Sequence, residues 1–110
     1  MGYYTRYKLT LHEPSSFVGR EEELIAGFRK ACDGAEFALT EHGNSYEATK
    51  WYSHDEDLRK FSRMYPDVVF KLTGEGEESG DQWCLYVKNG RSQMCQAKIT
   101  YDDYDEQKLV

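Results

Sequence analysis

The sequence has few of the residues that crosslink a chain, interrupt its secondary structure or carry it into a membrane. Its 110 residues include three cysteines and two prolines. Three cysteines without a CxxC pair do not predict a disulfide framework or a zinc knuckle, so we expect reduced thiols. No apolar run approaches membrane-spanning length, and the first residues lack the apolar stretch of a signal peptide. We therefore expect a cytoplasmic protein that makes no membrane contact.

An excess of positive charge is also missing. The chain has 14 Lys and Arg against 20 Asp and Glu, a formal charge of −6. Because phosphate binding needs a positive surface potential, stable binding to polymeric nucleic acid is not expected, although a locally basic face can exist within that total. A composition that is 39% hydrophobic and 31% charged is typical of a globular domain. The nine tyrosines favour sheets and recognition surfaces.

Catalytic motifs are absent from the sequence. No GxSxG, Walker or Rossmann fingerprint occurs. His12, His42 and His54 have no HxxxH or HxH spacing, so each is expected at the surface and not as a metal ligand. The sequence therefore predicts a protein without catalysis, cofactor or metal. A hydrolase or nuclease activity at His54 and Asp55, which share a predicted helix start, is the weakest alternative.

Hydrophobic periodicity predicts the first elements of the fold. Residues 3–12 alternate between apolar and polar side chains, which is typical of a half-buried strand. Apolar residues at helical spacing predict a helix over about 20–32. Ser53 and Glu56 form a capping-box pattern at the start of a second helix, which Pro66 stops.

Further strands complete the predicted fold. They cover residues 36–40, 46–52 and 68–73, followed by a hairpin of 82–88 and 91–101 around Asn89-Gly90. The order β-α-β-β-α-β plus a C-terminal β-hairpin predicts an α+β, ferredoxin-like fold. Its antiparallel sheet would carry both helices on one face. We expect residues 1–101 to form a single domain and 102–110 a polar tail.

The register of the hairpin depends on its turn. A two-residue Asn89-Gly90 loop and a three-residue loop that includes Lys88 both fit the sequence. The three-residue loop aligns the apolar residues of the two strands, so it is the prediction. It would place Cys84 and Cys95 on opposite faces of the sheet, which disfavours a disulfide between them.

Residues from Thr49 onward resemble the YubB-like ferredoxin-like domains of phages and plasmids. The similarity rests on Thr49-Lys50-Trp51, on Tyr65-Pro66-Asp67 after Phe61, and on Phe70-x-Leu72. It continues through the glycine-containing loop that ends at Gly80 and the Asn89-Gly90 hairpin, and covers about half of the chain. The resemblance implies a phage or mobile-element origin and assigns no activity, since none of these residues is catalytic in that group.

Two surfaces are candidate binding sites. Strand alternation places cations and rings together on the sheet face away from the helices, where they can neutralise phosphate and stack on bases. The proposed ligand contacts are Arg6, Lys8, Trp51, Tyr52, Lys71, Trp83 and Tyr86. An acidic loop over 74–81 lacks the ligand spacing of a calcium loop and is expected to be solvated or to dock on a basic partner. Its carboxylates are Glu75, Glu77, Glu78 and Asp81.

Two functions follow from these surfaces. The first hypothesis is a phage-type accessory protein that binds and inhibits a host protein, plausibly a component of host defence. The second is a binder that sequesters a nucleotide or cyclic-nucleotide signal on the uncovered sheet face or at an oligomer interface. Exposed sheet edges also leave a self-assembling role open, with a homo-oligomer as its product.

Overall fold

The computed structural model describes residues 3–12 and 19–110, which form an α+β fold with one four-stranded antiparallel sheet. The elements in chain order are β1 (Thr5–His12), α1 (Glu21–Ala31), α2 (Asp33–Ala38), α3 (His54–Ser62), β2 (Val69–Gly76), β3 (Gln82–Lys88) and β4 (Arg91–Gln96), with a 3-10 turn at Glu106–Lys108. The strands lie in the order β1-β2-β3-β4. Three successive helices connect the first two strands and cover one face of the sheet.

The alternation in β1 produces the predicted half-buried strand. Tyr7 and Leu9 are buried against the helices, whereas Arg6 and Lys8 are exposed. Successive side chains of a strand point to opposite faces, so one apolar and one polar series occupy the two sides. The strand prediction for this segment is confirmed.

The two predicted helices supply the main packing layer of the core. Phe28 of α1 and Phe61 of α3 lie with their ring centroids 5.0 Å apart. Phe61 also packs edge-on against Phe70 of β2, with ring centroids at 5.8 Å. These contacts join both helices to the centre of the sheet. Among the described helices, none combines the length and apolar character that crossing a membrane would require.

The strand predicted over 36–40 is wrong, because this segment forms the end of α2. The buried residues there are Ala35, Ala38 and Leu39, which recur at helical spacing, while Phe37 is 76% exposed. The prediction assumed that Phe37 faces the core with Leu39. A short helix with alanines on its inner side carries little apolar signal.

The strand predicted over 46–52 is also wrong. This segment is irregular: an isolated bridge joins its Thr49 to Thr5, and a second bridge joins the preceding Asn44 to Lys8. Backbone N–H groups of β1 donate to Thr49 O at 2.8 Å and to Gly43 O at 2.7 Å. The segment covers the edge of β1 without continuing the sheet. The ferredoxin-like order is not confirmed, since the three helices follow one another without intervening strands.

The hairpin register differs from the prediction. Asn89 and Gly90 have φ values of 47° and 78°, as a two-residue type I′ turn requires. Lys88 is therefore paired with Arg91, and Trp83 with Gln96. The apolar match could not decide the register because the helices leave the inner side of β4 uncovered, where Met94 is 45% exposed. A type I′ turn matches the twist of the strands and determines the pairing instead.

The sheet ends earlier than predicted, at Gln96, and the following residues form a C-terminal arm (residues 97–110). Every residue of the arm is exposed. Asp105 caps its 3-10 turn by accepting a hydrogen bond from Gln107 N at 3.0 Å. The radius of gyration is 16.4 Å, against about 13 Å for a compact domain of this length. The arm therefore extends the molecule beyond its core.

Candidate functional site

The sheet face turned away from the helices, called the open face here, concentrates positive charge. The four strands contain a single acidic residue, Glu75. Their cationic residues are Arg6, Lys8, Lys71, Lys88 and Arg91. Strand register places all five cations and Glu75 on the open face. A protein with a net charge of −6 thus carries a basic surface on one side.

Pairing across the strands brings three of these cations close together. Lys8 lies opposite Thr73, and Lys71 is two residues before Thr73 on the same strand. Diagonal neighbours of this kind are about 7–8 Å apart. Arg6 lies two residues before Lys8 on the same face, at about 6.6 Å from the rise of a strand. A single phosphate group can therefore contact more than one of them.

These three cations have no ionic partner among the described carboxylates. The salt bridges between described residues involve other side chains, such as Arg20 with Glu23 and Arg59 with Asp55. Glu75 is paired with Arg6 in the strand register, but the two side chains form no salt bridge among those observed. The positive potential of the open face is accordingly left for an external anion.

A shallow depression crosses the open face. Its volume is about 540 Å³, which is in the range of small-ligand sites. The lining residues that contribute charge or polarity include Arg6, Lys8, Lys71, Thr73, Cys84 and Cys95. Lys8, Thr73, Cys84 and Cys95 form one row across the four strands. Thr73, Cys84 and Cys95 give the depression a floor of short side chains, which the three cations border on the β1 and β2 side together with Glu75.

Aromatic side chains border the cations on one side. The Lys71 ammonium lies 5.8 Å from the centroid of the Tyr86 ring, which is cation–π distance. The imidazole of His12 meets the same ring edge-on, with centroids 5.1 Å apart. A hydrogen bond with the Cys84 thiol raises the pKa of Tyr86. The phenol therefore stays neutral and can donate or accept a hydrogen bond beside Lys71, outside the lining of the depression.

Cys84 and Cys95 are directly opposite each other in the hairpin, so the prediction that they lie on opposite faces is wrong. Both are free and half-buried on the open face. They were separated by the three-residue turn assumed for the hairpin. The Asn89-Gly90 dipeptide, whose preference for type I′ turns was available in the sequence, would have paired them.

No protein-family model, no curated protein and no solved structure matches this chain. The resemblance to YubB-like domains accordingly stays a prediction. Residues 3–12 and 19–110 also contain no group of three or more His, Cys, Asp or Glu side chains arranged to hold a metal ion. The geometry of the open face is therefore the basis for a functional proposal.

Trp51, proposed as a ligand contact, lies in the core and is 3% exposed. Its indole N–H donates to Asp57 Oδ2 at 2.9 Å. Its ring packs edge-on against Tyr7, with centroids 5.3 Å apart. Tyr7 itself points toward the helices, so Trp51 is separated from the open face by the sheet. We remove it from the candidate site.

Trp83 borders the depression, whereas Tyr52 does not line it. Trp83 points toward the helical side, where its ring stacks on His54 with a centroid distance of 4.8 Å and an interplanar angle of 18°. Tyr52 is 69% exposed, and its hydroxyl accepts a hydrogen bond from Tyr3 N at 2.9 Å. Of the seven proposed ligand contacts, the sheet brings together Arg6, Lys8, Lys71 and Tyr86.

The predicted acidic loop is shorter than expected and is tied to the N-terminal end of β1. Glu75 belongs to β2, and Glu77 Oε1 accepts a hydrogen bond from Tyr4 N at 3.1 Å. The Tyr3 hydroxyl donates to Asp81 and accepts from Glu78 N, the latter at 3.1 Å. The hydrogen bond to the Asp81 carboxylate raises the pKa of Tyr3. Two of the four proposed docking carboxylates are thus engaged within the chain.

His54 and Asp55, the candidates for hydrolysis, make contacts that stabilise the start of α3. His54 Nδ1 lies 2.8 Å from Trp51 O, and the imidazole ring stacks on Trp83. Asp55 forms an ion pair with Arg59 one turn later in the helix, at 3.3 Å.

Proposed function

We propose that this chain is a binding protein whose open face holds a phosphate-bearing ligand of nucleotide size. The observation that carries the proposal is the placement of all five strand cations on one uncovered face, with a single carboxylate among them. Like charges on neighbouring strands repel one another, so this arrangement favours the approach of an anion. A bound phosphate would relieve that repulsion.

The side chains of the depression suit the parts of a nucleotide. Arg6 can bind two phosphate oxygens at once, and Lys8 and Lys71 add point charges beside it. Tyr86 lies beside Lys71 with His12 against it, outside the lining of the depression, and these rings can contact a base that extends past Lys71. The short side chains of the central row leave room for the ligand to approach the sheet.

A small ligand fits this surface better than a long nucleic acid. The basic area spans four strands, about 15 Å across from the spacing of strands. Beyond it the molecule is acidic, with a net charge of −6, and would repel the neighbouring phosphates of a polymer. The charge distribution therefore supports a compact anion.

The alternative hypothesis of a phage-type inhibitor of host defence has less support from these contacts. It drew on the acidic loop as a docking element, yet Glu77 and Asp81 bind the backbone of Tyr4 and the hydroxyl of Tyr3. The phage and host-protein assignments rest on the sequence resemblance and the overall charge. They stay predictions, and capture of a single host protein would be their test.

Isothermal titration calorimetry with ATP, a cyclic mononucleotide, a cyclic dinucleotide and inorganic phosphate tests the proposal. At least one nucleotide should bind, and its affinity should fall as salt is raised because the contacts are ionic. Lys8→Glu should weaken that binding at least tenfold. Lys30→Glu is the matched control, since Lys30 is exposed on α1 and carries the same charge change away from the open face.

Two results would overturn the proposal. One is the absence of heat and of thermal stabilisation with every compound at millimolar concentration. The other is an equal loss of affinity in the Lys8 and Lys30 variants, which would show that only net charge matters. Preferential binding of an oligonucleotide over all small nucleotides would refute the stated ligand size.

A further inference from the structure

The C-terminal arm has no partner among the described residues beyond its first few positions. Ala97 N donates to Gln82 O at 2.8 Å, and no hydrogen bond joins residues 98–104 to the described core. Its large apolar side chains are nevertheless exposed. Their exposed fractions are 58% for Ile99, 90% for Tyr101, 76% for Tyr104 and 63% for Leu109. Such a cluster over a short segment is typical of a surface that binds another chain.

The arm is the electrostatic complement of the open face. Residues 101–106 read Tyr-Asp-Asp-Tyr-Asp-Glu, so four carboxylates and two phenol rings follow one another without a cation. The open face carries the opposite pattern, with five cations and one carboxylate. Complementary potentials of this kind favour association of two surfaces and determine their orientation.

The arm leaves the sheet beside the depression, which Ala97 lines, and near the start of β3. Ile99 Cδ1 lies 3.1 Å from the position that a Cβ on residue 80 would occupy, at the end of the sheet where β3 begins. From there, residues 101–110 can extend about 33 Å. That length exceeds the width of a four-stranded sheet, about 15 Å. The arm can therefore cross the open face of a neighbouring molecule.

We propose that two copies of this chain exchange C-terminal arms, each placing residues 101–106 across the open face of the other. The carboxylates of the arm pair with Arg6, Lys8 and Lys71, and its tyrosines pack on the Tyr86 side of the depression. A two-fold exchange buries the same surfaces on both copies and closes the assembly at two. One consequence rests on the proposed function: the arm competes with the phosphate ligand for the same cations.

Charge reversal on each surface tests the exchange in full-length chains. The arm-reversed variant is Asp102→Lys with Asp103→Lys, and the face-reversed variant is Lys8→Glu with Lys71→Glu. Each alone should be monomeric in sedimentation velocity, because the substitutions cancel the net charge of residues 101–106 in one variant and of the open face in the other, and they place like charges at the proposed contacts. The unmodified chain should form dimers that dissociate in 500 mM salt. An equimolar mixture of the two variants should regain dimers, since both arm–face contacts are again complementary.

A variant truncated after Thr100 provides the second test. It should stay monomeric at every concentration and keep the circular dichroism spectrum of the core, because residues 101–110 are exposed throughout. A full-length chain that is monomeric at 100 µM, a shortened chain that dimerises equally well, or a mixture that stays monomeric would each overturn the exchange. The first of these would also result from an arm that folds onto its own chain or awaits another protein.

The two proposals can fail separately. Nucleotide titration of the chain ended after Thr100 examines the open face without its competitor, whatever the oligomeric state of the full chain. Binding by the shortened chain together with a monomeric full-length chain would support the proposed function and refute arm exchange. A full-length chain that dimerises, together with a shortened chain that binds no nucleotide, would support arm exchange and refute the proposed function.

Discussion

Replacement of Gly74 by Ala tests how the sheet accommodates its largest inward side chain. Gly74 is paired with Trp83 across β2 and β3, and the indole lies over the glycine. A Cβ at position 74 would overlap three indole atoms. The ring cannot move freely, because it stacks on His54 at a centroid distance of 4.8 Å and meets Tyr7 edge-on at 6.1 Å.

The expected effect on the free energy of unfolding has two opposing parts. Overpacking a well-filled site costs about 1–3 kcal/mol. Removing the conformational freedom of a glycine in the unfolded chain returns about 0.4–1 kcal/mol. We therefore expect Gly74→Ala to destabilise the protein by about 1.3 kcal/mol, the difference between the midpoints of these two ranges.

A double-mutant cycle with Trp83→Ala isolates the overlap. Without the indole, Gly74→Ala should become neutral or stabilising, so the coupling between the two positions should be about 1–3 kcal/mol. Urea denaturation followed by circular dichroism gives all four stabilities without depending on tryptophan fluorescence. Gly27→Ala in α1 is the control, and should stabilise the protein, since its Cβ would lie at an ordinary 3.5 Å from Phe61. Equal effects of Gly74→Ala with and without the indole would refute the reasoning.

Two further predictions concern the cysteine pair and Asp57. Cys84 and Cys95 are opposite residues of an antiparallel ladder, where Cα atoms lie about 4.5–5.5 Å apart, within the range for a disulfide of about 4.4–6.8 Å. Oxidised glutathione should therefore link them within one chain, with loss of two hydrogen atoms by mass spectrometry, and a product linked only through Cys32 would contradict the register. Burial tends to raise the pKa of Asp57, but hydrogen bonds from Trp51 and two other side chains outweigh it and lower the pKa from its usual 3.8. The carboxylate thus stabilises the fold above the pKa of the unfolded chain, and this stabilisation is lost as pH falls through the folded pKa. Asp57→Asn should destabilise the protein at pH 7 and lose that difference in acid, and a constant difference between pH 7 and pH 3 in denaturation experiments would exclude the mechanism.

The parts of the fold that the sequence predicts well are those with one covered and one uncovered side. In β1 the alternation of Tyr7 and Leu9 with Arg6 and Lys8 matches the burial of the strand residue by residue. The helix around Phe28 is equally clear, because its apolar residues recur at helical spacing on one side. In both elements the pattern reflects a strong difference in solvent exposure between the two faces.

The wrong predictions concern segments whose two faces differ little in solvent exposure. Phe37 suggested a buried strand, yet its side chain is 76% exposed and the inner side of α2 consists of Ala35 and Ala38. In β4 the apolar match between strands had no physical basis, because the inner-side residues Ser92, Met94 and Gln96 are exposed. The turn conformation at Asn89 determines the register there instead of the apolar match.

The cations of the candidate site follow from alternation alone, whereas two of its proposed rings do not. Arg6, Lys8 and Lys71 share the open face as the period of two requires. The same period of two places Trp83 on the inner side when Tyr86 is on the outer side. The sequence alone therefore predicts that Trp83 is not on the open face. Trp51 lies in an irregular segment, where no period indicates which way a side chain points.

The irregular segment beside β1 has a consequence for how the sheet can grow. Backbone groups of Thr5, Tyr7 and Leu9 that would otherwise recruit a foreign strand are already bonded to Thr49, Ser45 and Gly43. Among the described residues, no segment forms such hydrogen bonds with the outer edge of β4. Only the β4 edge of the sheet can therefore pair with a strand of another molecule. When two molecules pair through their β4 edges, neither edge stays free, so a fibre cannot grow by this route.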